Sequence, residues 1–530
     1  MSDSSNRPIQ FLFRGQPVSV PAGQPTRSVL QWLREDARAC GTKEGCAEGD
    51  CGACTVVVAE LADAVLGEGS RAVVREGVAL RPINACIRFL PTLDGKALLT
   101  VEDLAGPSPG APEPTPGNPQ LAQPPSLPGP GSAVLHPAQQ ALVDCHGSQC
   151  GFCTPGFAMS LAVLHERTLG GAPRPSRKQL ADELSGNLCR CTGYRPILDA
   201  GERMAALPGP GLPLAGLAAQ LRRLQAAPAL SWPGQFHAPR SLAELAALRA
   251  AKPEARLLAG ATDVGLWVTK QMRELGEIIW LGDVAELRRL AEEEGHLHIG
   301  AAVTLEDAWA ALARRWPTLS EMGRRFAGPP VRHAGTLVGN VANGSPIGDS
   351  PPVLIALGAV LCLRRGQAMR EMPLQDFYVD YMKNQLQAGE FVEAVRVPLS
   401  AAAPAEGWHL RAWKISKRFD CDISSVSAAL AIQLQGDVVT AARLAFGGMA
   451  GIVKRAAATE AAVLGQPWNE ATLKRAMDAL ATDFTPLSDL RASASYRQQV
   501  ARGLLKRLWL QTRLHNPLPP QDVRAFEATA

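Results

Sequence analysis

The segment GCAEGDCGACTV, residues 45–56, spaces three cysteines as Cys46-x4-Cys51-x2-Cys54, and a fourth, Cys86, follows in NACIRFL. Four thiolates are what one [2Fe–2S] cluster requires, and this spacing with a distant fourth cysteine is the plant-type pattern. Zinc sites usually draw on paired C-x2-4-C units, so zinc is the alternative. Glycines between the cysteines would let backbone amides approach the sulfur atoms without Cβ clashes. We therefore predict that these four cysteines hold an iron–sulfur cluster.

A second group of four cysteines follows. QCGFCTPG contributes Cys150 and Cys153, and GNLCRCTGY contributes Cys189 and Cys191. The flanking segments have helical periodicity, which predicts that these cysteines lie at helix ends on two facing loops. A zinc knuckle is a closer rival here, although a C-x-C pair is unusual for zinc. We predict a second [2Fe–2S] cluster, which would make eight of the twelve cysteines metal ligands in a chain that moves single electrons.

The bulk properties exclude several classes of protein. A chain of 530 residues is expected to form roughly three to four domains. The net charge of +4 is too small to indicate nucleic-acid binding. The first residues, MSDSSNRPIQ, lack the regions of a secretion signal, and no run of eighteen apolar residues could span a membrane. We expect a cytoplasmic protein in a reducing compartment, where cysteines bind metal more often than they form disulfides.

Local patterns predict elements and boundaries. IQFLFRGQPVSV predicts a hairpin, and Thr26 is placed to cap a helix that runs through Val29 and Leu33. Dense Pro and Gly at 106–132 predict an irregular linker. The predicted units are a plant-type cluster domain at 1–100, a linker at 101–135, a helical cluster domain at 136–206, a linker at 207–232, a mixed domain at 233–404, a C-terminal domain at 405–515 and a tail at 516–530. Strands of the C-terminal domain are expected near Trp408–Ile415, Ser425–Leu434 and Thr440–Phe446.

The mixed domain contains no Rossmann G-x-G-x-x-G and no Walker loop. Instead, LLAGATDVG at 257–265 places small residues after a predicted strand, and GTLVGN at 335–340 has the same character. Such loops could let backbone amides hold a pyrophosphate, although ordinary turns account for the same residues. We assign structural roles to His333, Cys362 and Cys421.

Together these motifs resemble one family. GTKEGCAEGDCGACTV, NACIRF, LHPAQQALVDCHGSQCGFCTPGF and GNLCRCTGYRPI resemble the iron–sulfur half of the xanthine dehydrogenase and aldehyde oxidase family. LLAGATDVGL, FAGPPVRHAGTLVGNVANGSPIGDSPP and KISKRFDCDIS resemble its flavin domain, and FGGMAGIVKRA resembles the C-terminal domain of its flavoprotein part. The resemblance covers nearly the whole chain, in order.

The resemblance implies a fold, cofactors and a partner. The implied fold is multidomain α+β, with a β-grasp ferredoxin domain, a four-helix cluster domain, a non-Rossmann α+β FAD-binding domain and a C-terminal α/β flavoprotein domain. The implied cofactors are two [2Fe–2S] clusters and FAD, with NAD as the electron acceptor. Molybdopterin would be held by a partner, since the arrangement resembles bacterial members in which a small cluster-and-FAD subunit and a large molybdenum subunit form a heterotetramer with two copies of each.

By the same resemblance, FAD would lie against the two small-residue loops. The residues that match flavin-contacting positions of the family are Leu257, Leu258, Ala259, Gly260, Ala261, Thr262, Asp263, Val264, Phe326, Thr336, Gly339, Asn340, Asp349, Val392 and Lys414. Gln149 and Cys191 resemble residues that abut the pterin in the partner. The segment 417–424 resembles a mobile loop beside the flavin that influences whether NAD⁺ is admitted.

The implied function is electron transfer in purine catabolism. A partner's molybdenum centre would oxidise hypoxanthine and xanthine to urate, and electrons would pass through the helical-domain cluster and the plant-type cluster to FAD and NAD. We expect no catalytic side chain for hydroxylation on this chain, because the cofactors carry the chemistry. The alternatives are the same role in an aldehyde, nicotinate or other aromatic hydroxylase, a stand-alone iron–sulfur flavoprotein carrier, or a zinc-binding scaffold.

Overall fold

The computed structural model describes residues 6–64, 70–105, 134–519 and 522. Most of the predicted linker at 101–135 lies outside the described residues. The elements form four units that follow the order of the chain. No helix in this part of the chain is both long enough and apolar enough to cross a lipid bilayer.

The first domain is a six-stranded sheet with one helix packed on it. Its elements are β1 (Ile9–Phe13), β2 (Gln16–Val20), α1 (Val29–Glu35), β3 (Thr55–Leu61), β4 (Val73–Arg75), β5 (Val78–Asn84) and β6 (Ala97–Leu99). The strand order is β2-β1-β6-β3-β5-β4. Strands β1 and β6 run parallel, whereas the other neighbours are antiparallel.

Turn and cap residues fix the start of this domain. The β1–β2 hairpin turns at Arg14 and Gly15, whose φ angles of 52° and 68° suit the tight turn that matches strand twist. Ser28 caps α1, because its hydroxyl accepts from Gln31 N at 3.1 Å while the Gln31 side chain accepts from Ser28 N at 2.9 Å. The prediction that Thr26 caps this helix is therefore wrong. The two reciprocal hydrogen bonds require a glutamine three residues after the cap, and Ser28 has Gln31 at that position.

The helical domain has four helices. They are α2 (Pro137–Asp144), α3 (Thr154–Leu169), α4 (Arg177–Glu183) and α5 (Arg195–Met204). The side chain of His136 caps α2 by accepting from Ala138 N at 3.0 Å. Residues 207–232, predicted as a linker, contain a further helix, α6 (Leu217–Gln225), which packs against β1 and β3 of the first domain.

The third domain contains two main sheets. Its first part has β7 (Ser231–Trp232), β8 (Phe236–His237), α7 (Leu242–Ala251), β9 (Arg256–Leu258), α8 (Val264–Thr269) and β10 (Ile278–Trp280), with strand order β7-β8-β10-β9. Its second part has β11 (Leu290–Glu293), β12 (His296–Gly300), α9 (Leu305–Arg315), α10 (Ser320–Arg325), α11 (Pro329–Ala334), α12 (Leu337–Asn343), α13 (Ser350–Ala356), β13 (Val360–Arg365), β14 (Ala368–Pro373), β15 (Tyr378–Asp380), β16 (Lys383–Asn384) and β17 (Phe391–Pro398). The larger sheet has the order β11-β12-β17-β13-β14 and is antiparallel.

The C-terminal domain is an antiparallel sheet covered by helices. Its elements are β18 (Trp408–Ile415), β19 (Val426–Gln435), β20 (Val438–Gly447), β21 (Lys454–Arg455), α14 (Ala457–Val463), α15 (Glu470–Asp483) and α16 (Ala494–Thr512). The three long strands and the helices after them confirm the elements predicted for this region.

The first domain is held between two neighbours because its sheet is apolar on both faces. Along β3, Val57 packs in one core with Phe157 of the helical domain. Val56, on the opposite face, belongs to a second core that includes Trp232 and Ile278 of the third domain. Successive residues of a strand point to opposite faces, so one strand serves both interfaces. The cluster loop of the first domain is thereby fixed against both neighbours.

Candidate redox site

Three cysteines of the first quartet lie in the loop between α1 and β3, and the fourth lies just beyond β5. Because β3 pairs with β5, the end of this loop is adjacent to Cys86. Cys54 and Cys86 are buried, whereas Cys46 and Cys51 are half-buried. The backbone N–H of Cys51 donates to the sulfur of Cys46 over 3.4 Å. The structure therefore brings together the four residues that the spacing indicated.

The four thiols interact with one another. The pKa of Cys46 is far below its ordinary value, because the thiols of Cys51 and Cys86 donate to its sulfur. The pKa of Cys51 is raised because it donates to Cys46, and that of Cys86 is raised because it donates to Cys46 and Cys54. Four thiolates this close would repel one another unless a cation lay between them. This donor set fits a [2Fe–2S] core, which takes four thiolates.

The second quartet lies at the start of α3 and in the turn between α4 and α5. Its sulfurs contact in two pairs. Burial, and then contact with Cys189, raises the pKa of Cys153 to about 12, and the pKa of Cys191 is raised chiefly because its thiol donates to Cys150. Two pairs suit two irons with two thiolates each. Among the residues described, no three His, Cys, Asp or Glu side chains surround a position for a single metal ion.

The second quartet lies at the surface. Cys150 and Cys191 are exposed, and Gln149 beside them is exposed as well. Two aromatic side chains on the same loops are also open to solvent, since Phe152 is 46% exposed and Tyr194 is 39% exposed. The exposed cysteines of this quartet and the two exposed aromatic side chains therefore lie on the same loops.

The loops that carry the two quartets touch each other. The backbone N–H of Leu188 donates to the carbonyl oxygen of Cys51 at 2.9 Å. Asn187, which is 1% exposed, donates from its side-chain nitrogen to the carbonyl oxygen of Gly52 and to Thr55 Oγ1, both at 3.1 Å. No motif in the sequence singled out Asn187. It lies two residues before a cysteine ligand candidate, which is the signal that could have identified it.

The segment 185–187 also contacts the third domain. A Cβ built on Gly328 would lie 2.4 Å from the Cα of Gly186, and a Cβ on Gly186 would lie 2.6 Å from Pro330 Cδ. The two backbones therefore pack with no room for a side chain. The Cys421 thiol donates to the carbonyl oxygen of Ser185 at 2.9 Å. The helical, third and C-terminal domains meet at this point.

The candidate flavin loops meet at the end of β9. A Cβ on Gly260 would lie 2.4 Å from the carbonyl oxygen of Ala334, so only glycine allows this approach. Thr336 caps α12 by accepting from Gly339 N at 3.0 Å. The Oδ1 of Asn340 is buried and has no hydrogen-bond partner within the described ranges. A buried acceptor without a donor, beside loops that suit phosphate groups, fits a nucleotide cofactor such as FAD.

A buried polar triad lies between the third and C-terminal domains. Lys414 Nζ donates to Asp349 Oδ2 at 2.7 Å and to Ser424 Oγ at 3.0 Å. Ser424 Oγ donates to Asp349 Oδ1 at 2.6 Å. All three residues are buried. The structure brings together Asp349 and Lys414, which are distant in sequence, and adds Ser424 at the end of the predicted loop segment.

Four predicted flavin contacts have side chains that are engaged elsewhere. Leu258 and Ala261 are buried in the core shared with the first domain. Val392 is buried in the core of the third domain. Phe326 ends α10 and packs against Trp309, with ring centroids 6.0 Å apart. Leu258, Ala261 and Val392 could therefore serve a ligand mainly through their backbones.

The remaining predicted contacts lie within β9 or directly after it. Leu257 lies within β9, Ala259 and Thr262 lie in the loop after it, and Val264 is the first residue of α8. Burial raises the pKa of Asp263, while the Asn343 side chain opposes this by hydrogen bonding to its carboxylate.

Four family models match successive parts of the chain. They are described as a 2Fe-2S iron-sulfur cluster binding domain at 12–87, a [2Fe-2S] binding domain at 126–202, an FAD binding domain in molybdopterin dehydrogenase at 232–400 and a CO dehydrogenase flavoprotein C-terminal domain at 411–512. The first two matches contain all eight cysteines of the two quartets.

Nearly the whole chain is similar to part of several longer proteins. The xanthine dehydrogenase of Emericella nidulans is 31% identical over 94% of this chain and 38% of its own length. That of Drosophila subobscura is 30% identical over 95% of this chain and 39% of its own length. The chain thus spans less than half the length of these curated relatives. A solved structure of carbon monoxide dehydrogenase from Hydrogenophaga pseudoflava is 29% identical over 52% of this chain and 95% of that chain, with a TM-score of 0.48.

Proposed function

The chain belongs to the xanthine dehydrogenase/CO dehydrogenase family as its iron–sulfur and FAD part, and on that premise we propose that it is the electron-transfer subunit of an NAD-dependent xanthine dehydrogenase. The proposed reaction is oxidation of hypoxanthine and xanthine to urate on a molybdopterin-holding partner. When bound, the clusters supply one-electron carriers and FAD supplies a centre from which two electrons leave together as a hydride. The eight cysteines would hold the clusters, and the loops around Gly260 and Asn340 would hold FAD.

The direct contact between the two cysteine loops supports this proposal more than any other observation. Cys51 of one quartet accepts a hydrogen bond from Leu188, which is bonded to Cys189 of the other. Asn187 holds the same two loops together and is buried. Two metal-binding sites whose loops are hydrogen-bonded to each other suit electron transfer. Two independent structural zinc sites would need no such connection.

The exposed second quartet supports a partner at that end. Gln149, Phe152 and Tyr194 would contact the molybdopterin-holding chain, and covering them would exclude water from Cys150 and Cys191. We propose a heterotetramer with two copies of each chain. Hydroxylation would then occur outside this chain, which would supply only the route for electrons.

The segment 417–424 would form part of the acceptor site. Arg325 lies over the ring of Phe419 at 4.4 Å and donates from Nε to the Phe419 carbonyl oxygen at 3.0 Å. Cys421 attaches the same segment to the helical domain through Ser185. Ser424, at the end of the segment, forms hydrogen bonds with Lys414 and Asp349. This segment would determine whether NAD⁺ reaches the flavin.

Cofactor content tests the proposal. The chain would be purified alone and after coexpression with a molybdenum-binding chain of the same family, and its iron, sulfide, zinc, molybdenum and flavin content would be measured. We expect about four irons and one FAD per chain, with molybdenum only in the complex. The complex should then reduce NAD⁺ with xanthine. Activity with an aldehyde or nicotinate instead would keep the electron-transfer role and change the substrate, whereas zinc without flavin would overturn the proposal.

A further inference from the structure

A polar cavity lies between the first domain and the third domain and includes no cysteine in its lining. Its volume is about 60 Å³. A buried water needs about 10–15 Å³ of such space, so the cavity has room for about four oxygen-sized groups. The first domain contributes Arg81, Arg88 and Lys96, and the third domain contributes Trp280 and His333.

Most charges around this cavity are paired. Arg81 donates to Asp307 at 2.8 Å, and Lys96 donates to Asp283 at 2.7 Å. Arg288 pairs with Glu60 at 3.0 Å. Two cations of the first domain and one of the third therefore each have a carboxylate partner. These pairs also join the two domains, because every one of them crosses the interface.

Arg88 is the exception. It is 7% exposed, and its Nε is buried and has no hydrogen-bond partner among the described residues. Its guanidinium lies over the ring of Trp280, 4.6 Å from the centroid. A buried cation without an acceptor is costly, and such a group in a native fold calls for a bound water or ion.

Two more polar nitrogens at the cavity lack hydrogen-bond partners among the described residues. The Trp280 Nε1 is buried and makes no hydrogen bond within the described chain. The Nδ1 of His333 is buried and has none to any residue described either. An indole N–H and a guanidinium N–H can only donate, so Trp280 Nε1 and Arg88 Nε each need an acceptor. The carboxylates of the cavity do not supply it, because they are held in the ion pairs described above. His333 was expected to be structural, but it lines this cavity.

We infer that this cavity binds one tetrahedral oxoanion of the phosphate or sulfate class, with Arg88 as its principal ligand and Trp280 as a second donor. Arginine is the residue best suited to such anions, because its planar fork matches two oxygens at once. The anion would supply the acceptors that Arg88 and Trp280 lack and would strengthen the docking of the two domains. The site does not depend on the electron-transfer chemistry proposed above.

The phosphate could be free or could belong to FAD. Ala259 and Thr336 line the cavity and are also predicted flavin contacts. The volume suits one oxoanion and is too small for a dinucleotide. The shared chemistry is therefore a phosphate group, and the two sources are distinguished by whether bound FAD blocks the binding of inorganic phosphate.

Equilibrium dialysis with radiolabelled inorganic phosphate tests the inference on the full chain. We expect about one phosphate per chain, at least tenfold weaker binding in Arg88→Met, and a severalfold loss in Trp280→Phe, which keeps the ring and removes the N–H. Arg513→Met is the matched control, because Arg513 also lies over a tryptophan ring, at 5.2 Å, but in the C-terminal domain. It should bind phosphate as the native chain does.

The same measurement on FAD-loaded and FAD-depleted protein identifies the source. Binding in both forms would show a free anion. Binding only after FAD removal, with weaker FAD retention in Arg88→Met, would assign the phosphate to the flavin. Both outcomes support an oxoanion site. If the native chain binds no phosphate in either form, or if neither Arg88→Met nor Trp280→Phe weakens binding, the cavity holds water and the inference is wrong. Should Arg88→Met not fold, Trp280→Phe alone decides.

Discussion

The backbone N–H of Leu188 donates a 2.9 Å hydrogen bond to the carbonyl oxygen of Cys51, so one hydrogen bond connects the loops of the two cysteine quartets. The route from the Cys51 carbonyl to Cys189 crosses that bond and one peptide unit. Neither loop can move without the other while this contact and the bonds of Asn187 remain.

Replacing Asn187 should loosen this contact. Asn187→Leu removes two hydrogen bonds to Gly52 and Thr55 and leaves Ser160 Oγ, which now donates to Asn187 Oδ1 at 2.8 Å, without that acceptor. Losses of this kind in a buried site cost about 3 kcal/mol together. We expect a lower Tm and a weaker magnetic interaction between the two reduced clusters in EPR. Ser160→Ala should shift the Tm in the same direction by about a third as much, and a Tm and EPR spectrum unchanged in Asn187→Leu would show that the contact is incidental.

Replacing one ligand of the first quartet should remove one cluster only. Cys51→Ser takes away a thiolate that contacts Cys46, and a [2Fe–2S] cluster with three thiolates should be lost or strongly altered. We expect iron content to decrease by about half and one of two EPR signals to disappear. Cys40→Ser is the control, because Cys40 is exposed and stands outside the quartet. Persistence of both signals in Cys51→Ser would contradict the ligand assignment.

Asn340 should contribute to flavin retention. Its Oδ1 is buried and lacks a donor among the described residues, so a flavin hydroxyl or amide would satisfy it. Asn340→Leu removes that acceptor, and about 1.4 kcal/mol of lost binding corresponds to a tenfold higher Kd. The ratio of flavin absorbance to protein after desalting measures the effect. Gln271→Leu, at an exposed position of the same domain, should retain native flavin content. Equal flavin in both variants would remove Asn340 from the site.

The helical domain should lose stability in acid because of His136. Burial lowers the pKa of His136 to about 4, whereas an unfolded histidine titrates near 6.5. Between these values only the unfolded chain binds the proton, so stability decreases as pH falls from 6.5 toward 4. Burial lowers the pKa of His165 as well, which adds to this effect, and raises that of Glu166, which opposes it.

Asparagine can replace His136 as the cap of α2, and its side chain does not titrate in this pH range. His136 Nδ1 accepts from Ala138 N, and protonation would remove that acceptor. His136→Asn keeps a capping oxygen, and it should abolish a loss of about 2 kcal/mol between pH 7 and pH 5. Amide hydrogen exchange in α2 reports this locally. The same acid sensitivity in His136→Asn and in the native chain would assign it to other groups.

The sequence allowed both quartets to be predicted because cysteine spacing is a local property. It also predicted the three long C-terminal strands, whose apolar runs are continuous. The cap of α1 was misassigned to Thr26 although the sequence contains the correct signal, because Ser28-x-x-Gln31 is the spacing of the capping box that the structure shows. Asn187, Ser424 and Arg88 lie within segments quoted for the family resemblance, but nothing in the sequence singled them out. Each is an ordinary polar residue in sequence, and its importance depends on groups that the fold brings from other domains.

The packing of Gly186 against Gly328 has a consequence for how this chain can change over generations. Most tightly packed contacts tolerate substitutions during evolution, because a larger residue on one side can be offset by a smaller one on the other. Here both positions already carry the smallest residue, so neither can offset an exchange at its counterpart. Hybrids that join the helical domain of one homologue to the third domain of another should therefore assemble only when both parents keep glycine at these two positions.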